Sequence, residues 1–241
     1  MSEHQTPIIA PVWIDRLVGL CLCLIVSVGL FDIFFYYYGW LPSEIVSRSF
    51  NIAIEDSYGT WIATNISLLT GLVALAIAWR EYLGSQGRIA LGWLVVGLFF
   101  VFVSFDDAAK FHERLGSAIH YQVEDNTGTE LATWFPSWGW QLYVAPLFVA
   151  MGVYLYGFFW VVLSRRLILW SLLGLAMLAA AVGIDFYEGM LDRENQEAFV
   201  HLLHLLEELL EMFGTTVFLF VFLESLAARV QLTVSMIKPQ T

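Results

Sequence analysis

The residues best suited to chemistry in this chain are acids and imidazoles set at helical spacing. The richest stretch is His201-Leu202-Leu203-His204-Leu205-Leu206-Glu207-Glu208-Leu209-Leu210-Glu211. At 100° per residue, His201, His204, Glu207, Glu208 and Glu211 share an arc of about 120°, and leucines fill the other side. The spacings His204–Glu208 and Glu208–Glu211 let two groups on one helix face reach a common ion. A second cluster runs Asp106-Asp107, then Lys110, His112, Glu113 and Arg114. A helix continuing through it would put Asp106, Lys110 and Glu113 on one face. Asp185 with Glu188 forms a third cluster, and Asp32 stands alone in the first apolar segment. Imidazole with carboxylate suits iron, zinc and manganese. The spacing therefore points to a divalent metal, iron or zinc, held by Asp106, His204, Glu208 and Glu211. His112, Glu113 and Glu188 are expected as further ligands or as acid/base groups. No strict Glu-x-x-His of the kind used by di-iron bundles occurs. The same charges admit two plainer readings. Lys110 and Arg114 could pair with Glu207, Glu208 and Glu211 in a structural network, or the acids could stand in water just beyond the spans. Asp32 resists the second, because Ile33 to Tyr38 continue the apolar run past it.

Lipid must solvate part of whatever carries these residues. Hydrophobic residues make up 59% of the 241, and charged ones only 14%. Soluble domains hold about 25% charge, so the surplus cannot be hidden in one water-soluble core. A formal charge of -11 repels a phosphate backbone and excludes a nucleic-acid partner. Six segments reach the roughly 20 apolar residues that a bilayer needs. They cover about 15–40, 61–79, 89–110, 138–163, 167–188 and 198–227, with breakers such as Leu41-Pro42-Ser43 and Gly84-Ser85-Gln86-Gly87 between them. The expectation is an all-α, polytopic membrane helix bundle of six transmembrane helices, a single domain over 1–241. Long continuous runs do not suit a β-barrel.

With an even number of spans both termini lie on one side. That side carries Arg16, Arg80, Arg88, Arg165, Arg166, Arg229 and Lys238, against Arg48, Lys110, Arg114 and Arg193 on the other. The bias favours cytoplasmic termini in a cell inner membrane. Of the 22 acids, only Glu3, Asp15, Glu81 and Glu224 fall on the cytoplasmic side. At a rise of about 1.5 Å per residue, Asp32, Asp106, Asp185, Glu208 and Glu211 all lie roughly 22–27 Å up their spans, close to the outer face. Ionisable groups at such depth usually face the bundle interior and pair with something. Cys21 and Cys23 point to different sides of one helix, which suits packing and no mutual disulfide. Ala179-x-x-x-Gly183 offers a spacing at which helices can approach closely.

Two resemblances follow from these motifs. Asp106-Asp107-x4-His112-Glu113, with Glu207-Glu208-x2-Glu211-Met212-x-Gly214, resembles a set of uncharacterised bacterial multi-pass membrane proteins that pair the same two motifs. It implies that the two helices act together, and it implies no activity. Ser104, Asp106, His112, His201 and His204 are more distantly similar to the set used by membrane zinc hydrolases of the ceramidase and adiponectin-receptor superfamily. That superfamily has seven spans and His-x3-His in its last helix, against six expected here and His-x2-His. The resemblance implies a zinc-activated water.

Three functions fit the residues. One is a metal-dependent membrane enzyme acting on a lipid-like substrate, an oxidoreductase with iron or a hydrolase with zinc. Another is a proton or cation transporter or sensor, although Ser27, Thr64, Ser67, Thr70 and Ser171 are nearly all the polar groups the inner half offers. The third is an accessory subunit whose acids dock on a membrane protein partner or a homo-oligomer. Membrane lipid surrounds the chain in every case.

Overall fold

The computed structural model describes residues 11–54, 56–111, 114–115, 118, 141–189, 191 and 197–237, without the side chains of 141–145, 189 and 231–237. Regular structure among them is entirely helical. Helix α1 is Val12–Phe31 and runs on into a π-helical segment, Asp32–Tyr37. Then follow α2 (Glu44–Arg48), α3 (Tyr58–Leu83), α4 (Gly87–Ala109), α5 (Gln141–Val162), α6 (Arg165–Gly189) and α7 (Glu197–Ile237). Five are long and apolar enough to cross a membrane: Val12–Tyr37, Tyr58–Leu83, Gly87–Ala109, Arg165–Glu188 and Glu197–Val230. The expected span 138–163 is represented by α5, whose described apolar part, Pro146–Val162, is shorter. The bundle is thus polytopic and membrane-like. Leu20, Leu72, Leu91, Leu98, Val161 and Leu169 stand exposed on its outside, as a lipid-facing surface requires.

Local chemistry explains the element ends. Pro11 precedes α1, where its missing N–H costs nothing. The Ser57 hydroxyl accepts from Thr60 N–H and caps α3. The Gly84-Ser85-Gln86 turn, with Ser85 at φ 62°, folds α4 back against α3. The short α2 was not expected, since five residues carry no periodic signal. Helix α4 stops at Lys110, which takes a left-handed conformation (φ 52°, ψ 40°) and donates its N–H to Asp106 O at 2.8 Å. That turn breaks the helix assumed in placing Glu113 beside Asp106, and Glu113 itself lies outside the described residues.

Helix α7 is central and packs on α1, α3 and α6, while α3 pairs with α4. Backbones meet closely at two crossings. A Cβ on Gly71 of α3 would come within 2.9 Å of Gly97 O on α4, and a Cβ on Gly174 of α6 within 3.2 Å of Gly214 O on α7. Small residues at such crossings let dispersion and backbone contacts hold helices that lipid would otherwise separate. The Ala179-x-x-x-Gly183 spacing does not serve this purpose, because Gly183 faces open space. Between the crossings, Trp93, Phe100, Phe159, Phe218 and Phe222 are almost wholly buried, with ring centroids 5.2–6.0 Å apart. At the end away from the acids, Arg229 of α7 meets Glu81 and Ser225, Arg80 donates to the Arg229 carbonyl, and the guanidinium lies 5.5 Å from the Trp93 ring centre.

Gly71→Ala should push α3 and α4 apart and cost about 1–3 kcal/mol, the usual penalty of overpacking. Gly183→Ala should be neutral or slightly stabilising, since the new methyl meets nothing. Thermal unfolding of the two variants in detergent measures the difference.

Candidate metal centre

One helix phase supplies most of the centre. On α7, His201, His204, Glu207, Glu208 and Glu211 all line a single cavity of about 940 Å³. Asp106, Asp107 and Lys110 reach it from the end of α4, and Asp185 from α6. The residues arrive together because α6 and α7 are locked at the Gly174–Gly214 crossing and run side by side toward the acidic end.

Glu188, which is not itself part of the cavity lining, joins two of these residues: ligand atoms of Glu188, His204 and Glu207 lie within 4.8 Å of one another. His204 Nδ1 is 3.2 Å from Glu188 Oε2, and His204 Nε2 is 3.8 Å from Glu208 Oε1. Glu188 is only 2% exposed. Among the described residues, the buried Glu207 Oε2 has no hydrogen-bond partner. A buried acceptor left unmatched costs about 1–3 kcal/mol, and more when charged. A carboxylate oxygen in that state, beside an imidazole and a second carboxylate, fits a site that a cation completes. Metal–nitrogen and metal–oxygen bonds of about 2.0–2.2 Å hold ligand atoms at most about 4.4 Å apart, close to the spread found here.

Of the expected ligands, His204 belongs to this close cluster. Asp106, Glu208 and Glu211 line the surrounding cavity. Glu188, expected as a further ligand or an acid/base group, sits against His204. His112 and Glu113 lie outside the described residues. Glu207 joins the cluster although it was placed only on the shared arc. Its signal was present in the i,i+3 spacing from His204, but choosing it over Glu208 requires knowing where α6 lies.

A second buried pair was missed altogether. Asp32 is fully buried in the widened π turn; its Oδ2 accepts from Ile52 N–H at 2.8 Å, and its Oδ1 lies 2.9 Å from His201 Nε2. A carboxylate can only accept, so Nε2 carries the proton in this pair. The His201 ring centre lies 5.1 Å from that of Tyr36 and 6.0 Å from that of Tyr37. Asp32 could be read as an internal acid from sequence, but its partner stands 169 residues away. The link ties α1 to α7 on the cavity wall.

The family comparison agrees with this extent of structure. The chain belongs to the family described as "Domain of unknown function (DUF8692)", whose model matches residues 17–226. Searches of curated proteins and of solved structures found no match.

Asp32→Ala should destabilise the fold by about 3–5 kcal/mol, because it strands His201 and the Ile52 N–H. With His201→Ala added, the two losses should fall well short of additive in a double-mutant cycle read by thermal unfolding.

Proposed function

We propose that this protein is a metal-dependent membrane enzyme whose centre lies near the extracytoplasmic face and whose substrate is lipid-like. One observation carries the reading: Glu188, His204 and Glu207 bring an imidazole and two carboxylates within 4.8 Å, with one carboxylate oxygen buried and unmatched. That donor set suits iron, zinc or manganese. Glu188 and Glu207 would bind through oxygen and His204 through Nδ1. The opposite ring nitrogen then lies 3.8 Å from Glu208 Oε1, beyond a direct hydrogen bond but within ion-pair reach. A carboxylate on the far side of a ligating histidine fixes its tautomer and orientation. Glu208 is thus proposed as the orienting acid in place of a ligand, with Asp106 and Glu211 as the cavity's remaining acids beside it. When bound, the ion would supply a Lewis acid or an activated water. Iron would make the protein an oxidoreductase and zinc a hydrolase, the second being what the similarity to the ceramidase superfamily implies. The wider surroundings are proposed to be six spans with both termini in the cytoplasm of a bacterial inner membrane. His112 and Glu113 remain proposed acid/base groups.

The aromatic plug argues against a transport path. Phe100 lines the cavity, and Phe218 and Phe222 pack against it with Trp93 and Phe159 behind them. Three of the scarce hydroxyls spend their hydrogen bonds on nearby carbonyls, Thr70 on Ile66, Ser171 on Ile168 and Ser104 on Thr64, while among the described residues Thr64 Oγ1 and Thr216 Oγ1 have no partner. A proton or cation route needs polar groups that face one another through the membrane.

Elemental analysis of gently extracted protein should find about one transition-metal ion per chain, the occupancy of a site with three protein ligands. His204→Ala with Glu207→Gln should remove it. Glu208→Gln should retain the ion with affinity lowered about 10–100-fold, as for other residues that orient a ligand. Protein without metal, or equal losses in all variants, would overturn the reading. Reporter fusions at either terminus should both report a cytoplasmic location.

A further inference from the structure

The cavity around the metal centre has two zones, and three helices contribute to both in the same order. On α4, Asp106 and Asp107 line one end, and Val103 and Phe99 continue the lining one and two turns toward the opposite end. On α6, Asp185 is followed in the same direction by Val182 and Leu178. On α7, which runs the other way, His204 and Glu208 give way to Met212 and Thr215. Helix α5 adds only Phe148 to the described lining, and it touches α4 lightly compared with the tight α3–α4 pair. From the level of Asp106 to that of Phe99 is seven residues, or about 10 Å. The space is therefore a charged chamber continuous with an apolar slot directed toward the middle of the bundle, beside a loosely sealed seam.

The chamber is strongly biased in sign. Among the described residues, eight acidic side chains line the cavity against Arg48, Lys110 and two histidines. A divalent ion in the centre offsets only part of that acidity. An anionic head would meet repulsion in a chamber of low dielectric, where Coulomb energies are large. A cationic head would relieve it. Tyr36 and Tyr37 also line this end, and aromatic faces attract ammonium groups.

We infer that the cavity binds a cationic amphiphile, with an amine or quaternary ammonium head in the acidic chamber and a single hydrocarbon chain in the slot between α4, α5 and α6. This rests on the reading of the cavity as a substrate site beside a metal, and it names the substrate class. The chain buries apolar surface that the slot otherwise exposes, at roughly 25 cal/mol per Å². The head selects by charge. Such a molecule enters sideways from the membrane, which is where it would be dissolved.

A dodecyltrimethylammonium carrying a diazirine at the chain end tests this on the full-length protein in an uncharged maltoside detergent. Labelling followed by peptide mass spectrometry should fall on Phe99, Val103 or Leu178. Unlabelled dodecyltrimethylammonium should displace it, and dodecanoate of equal chain length should not. Val103→Trp, which fills the slot, should cut labelling by at least about tenfold, or 1.4 kcal/mol, with metal content unchanged. Label spread over Leu91, Leu98 and Leu169 on the lipid face, or equal displacement by the anion, overturns the inference. The competition in the unaltered protein decides the matter even where the tryptophan variant does not fold. Metal content measured on the same preparation separates the two readings: metal with no amphiphile binding removes only this inference, and amphiphile binding without metal removes only the metal centre.

Discussion

The constraint on which the structure depends is the cost of holding charge away from water. An ionisable side chain within a bilayer costs about 2.5–3.5 kcal/mol at mid-depth even by lenient scales. This chain carries many of them at one end of an otherwise apolar bundle. Each must face inward, find an opposite charge or a hydrogen bond, or share a cation. Asp32 takes the second course, through His201 and the Ile52 amide. Arg229 does the same at the far end with Glu81 and Ser225. Glu188, His204 and Glu207 gather instead around a point that suits a cation.

Packing makes that gathering possible. Helices in lipid gain little from burying apolar surface, so their contacts depend on close backbone approach. Gly71 with Gly97, and Gly174 with Gly214, supply it at the two strongest pairings. With α6 and α7 held in register, one turn of α7 presents His204 and Glu207 to Glu188. The π segment after α1 adds a further adjustment, turning Asp32 fully inward where a straight helix had no reason to favour it. Widened turns of this kind are frequent at functional sites. The aromatic cluster packs against the apolar end of the cavity through Phe100.

Much of this was legible in the residues. Five of the six apolar runs match membrane-length helices to within a few residues, apart from the C-terminal end of α7, which extends about ten residues past Ala227; the run 138–163 appears as α5, whose described apolar part is shorter. The arc of His201, His204, Glu207, Glu208 and Glu211 was correct, because helical phase is a local property and α7 is continuous there. The phase argument reaches only as far as the helix does: α4 ends at Lys110, which turns left-handed, and Glu113 lies outside the described residues. Gly183 failed as a contact because a small-residue spacing marks where a helix can be approached, and only a neighbour's position says whether it is.

Composition and periodicity thus determined the class of molecule, its lipid-facing surface and the helix face on which acids and imidazoles concentrate. These follow from single-residue transfer energies and from the 3.6-residue turn, both of which act within one segment. Partner choice was decided only in three dimensions. That His201 goes to Asp32 while His204 goes to Glu188, and that Glu207 lies nearer the cluster's centre than Glu211, depends on the height and rotation of α1, α6 and α7 relative to one another. Those offsets come from contacts between residues far apart in the chain, and no local pattern encodes them.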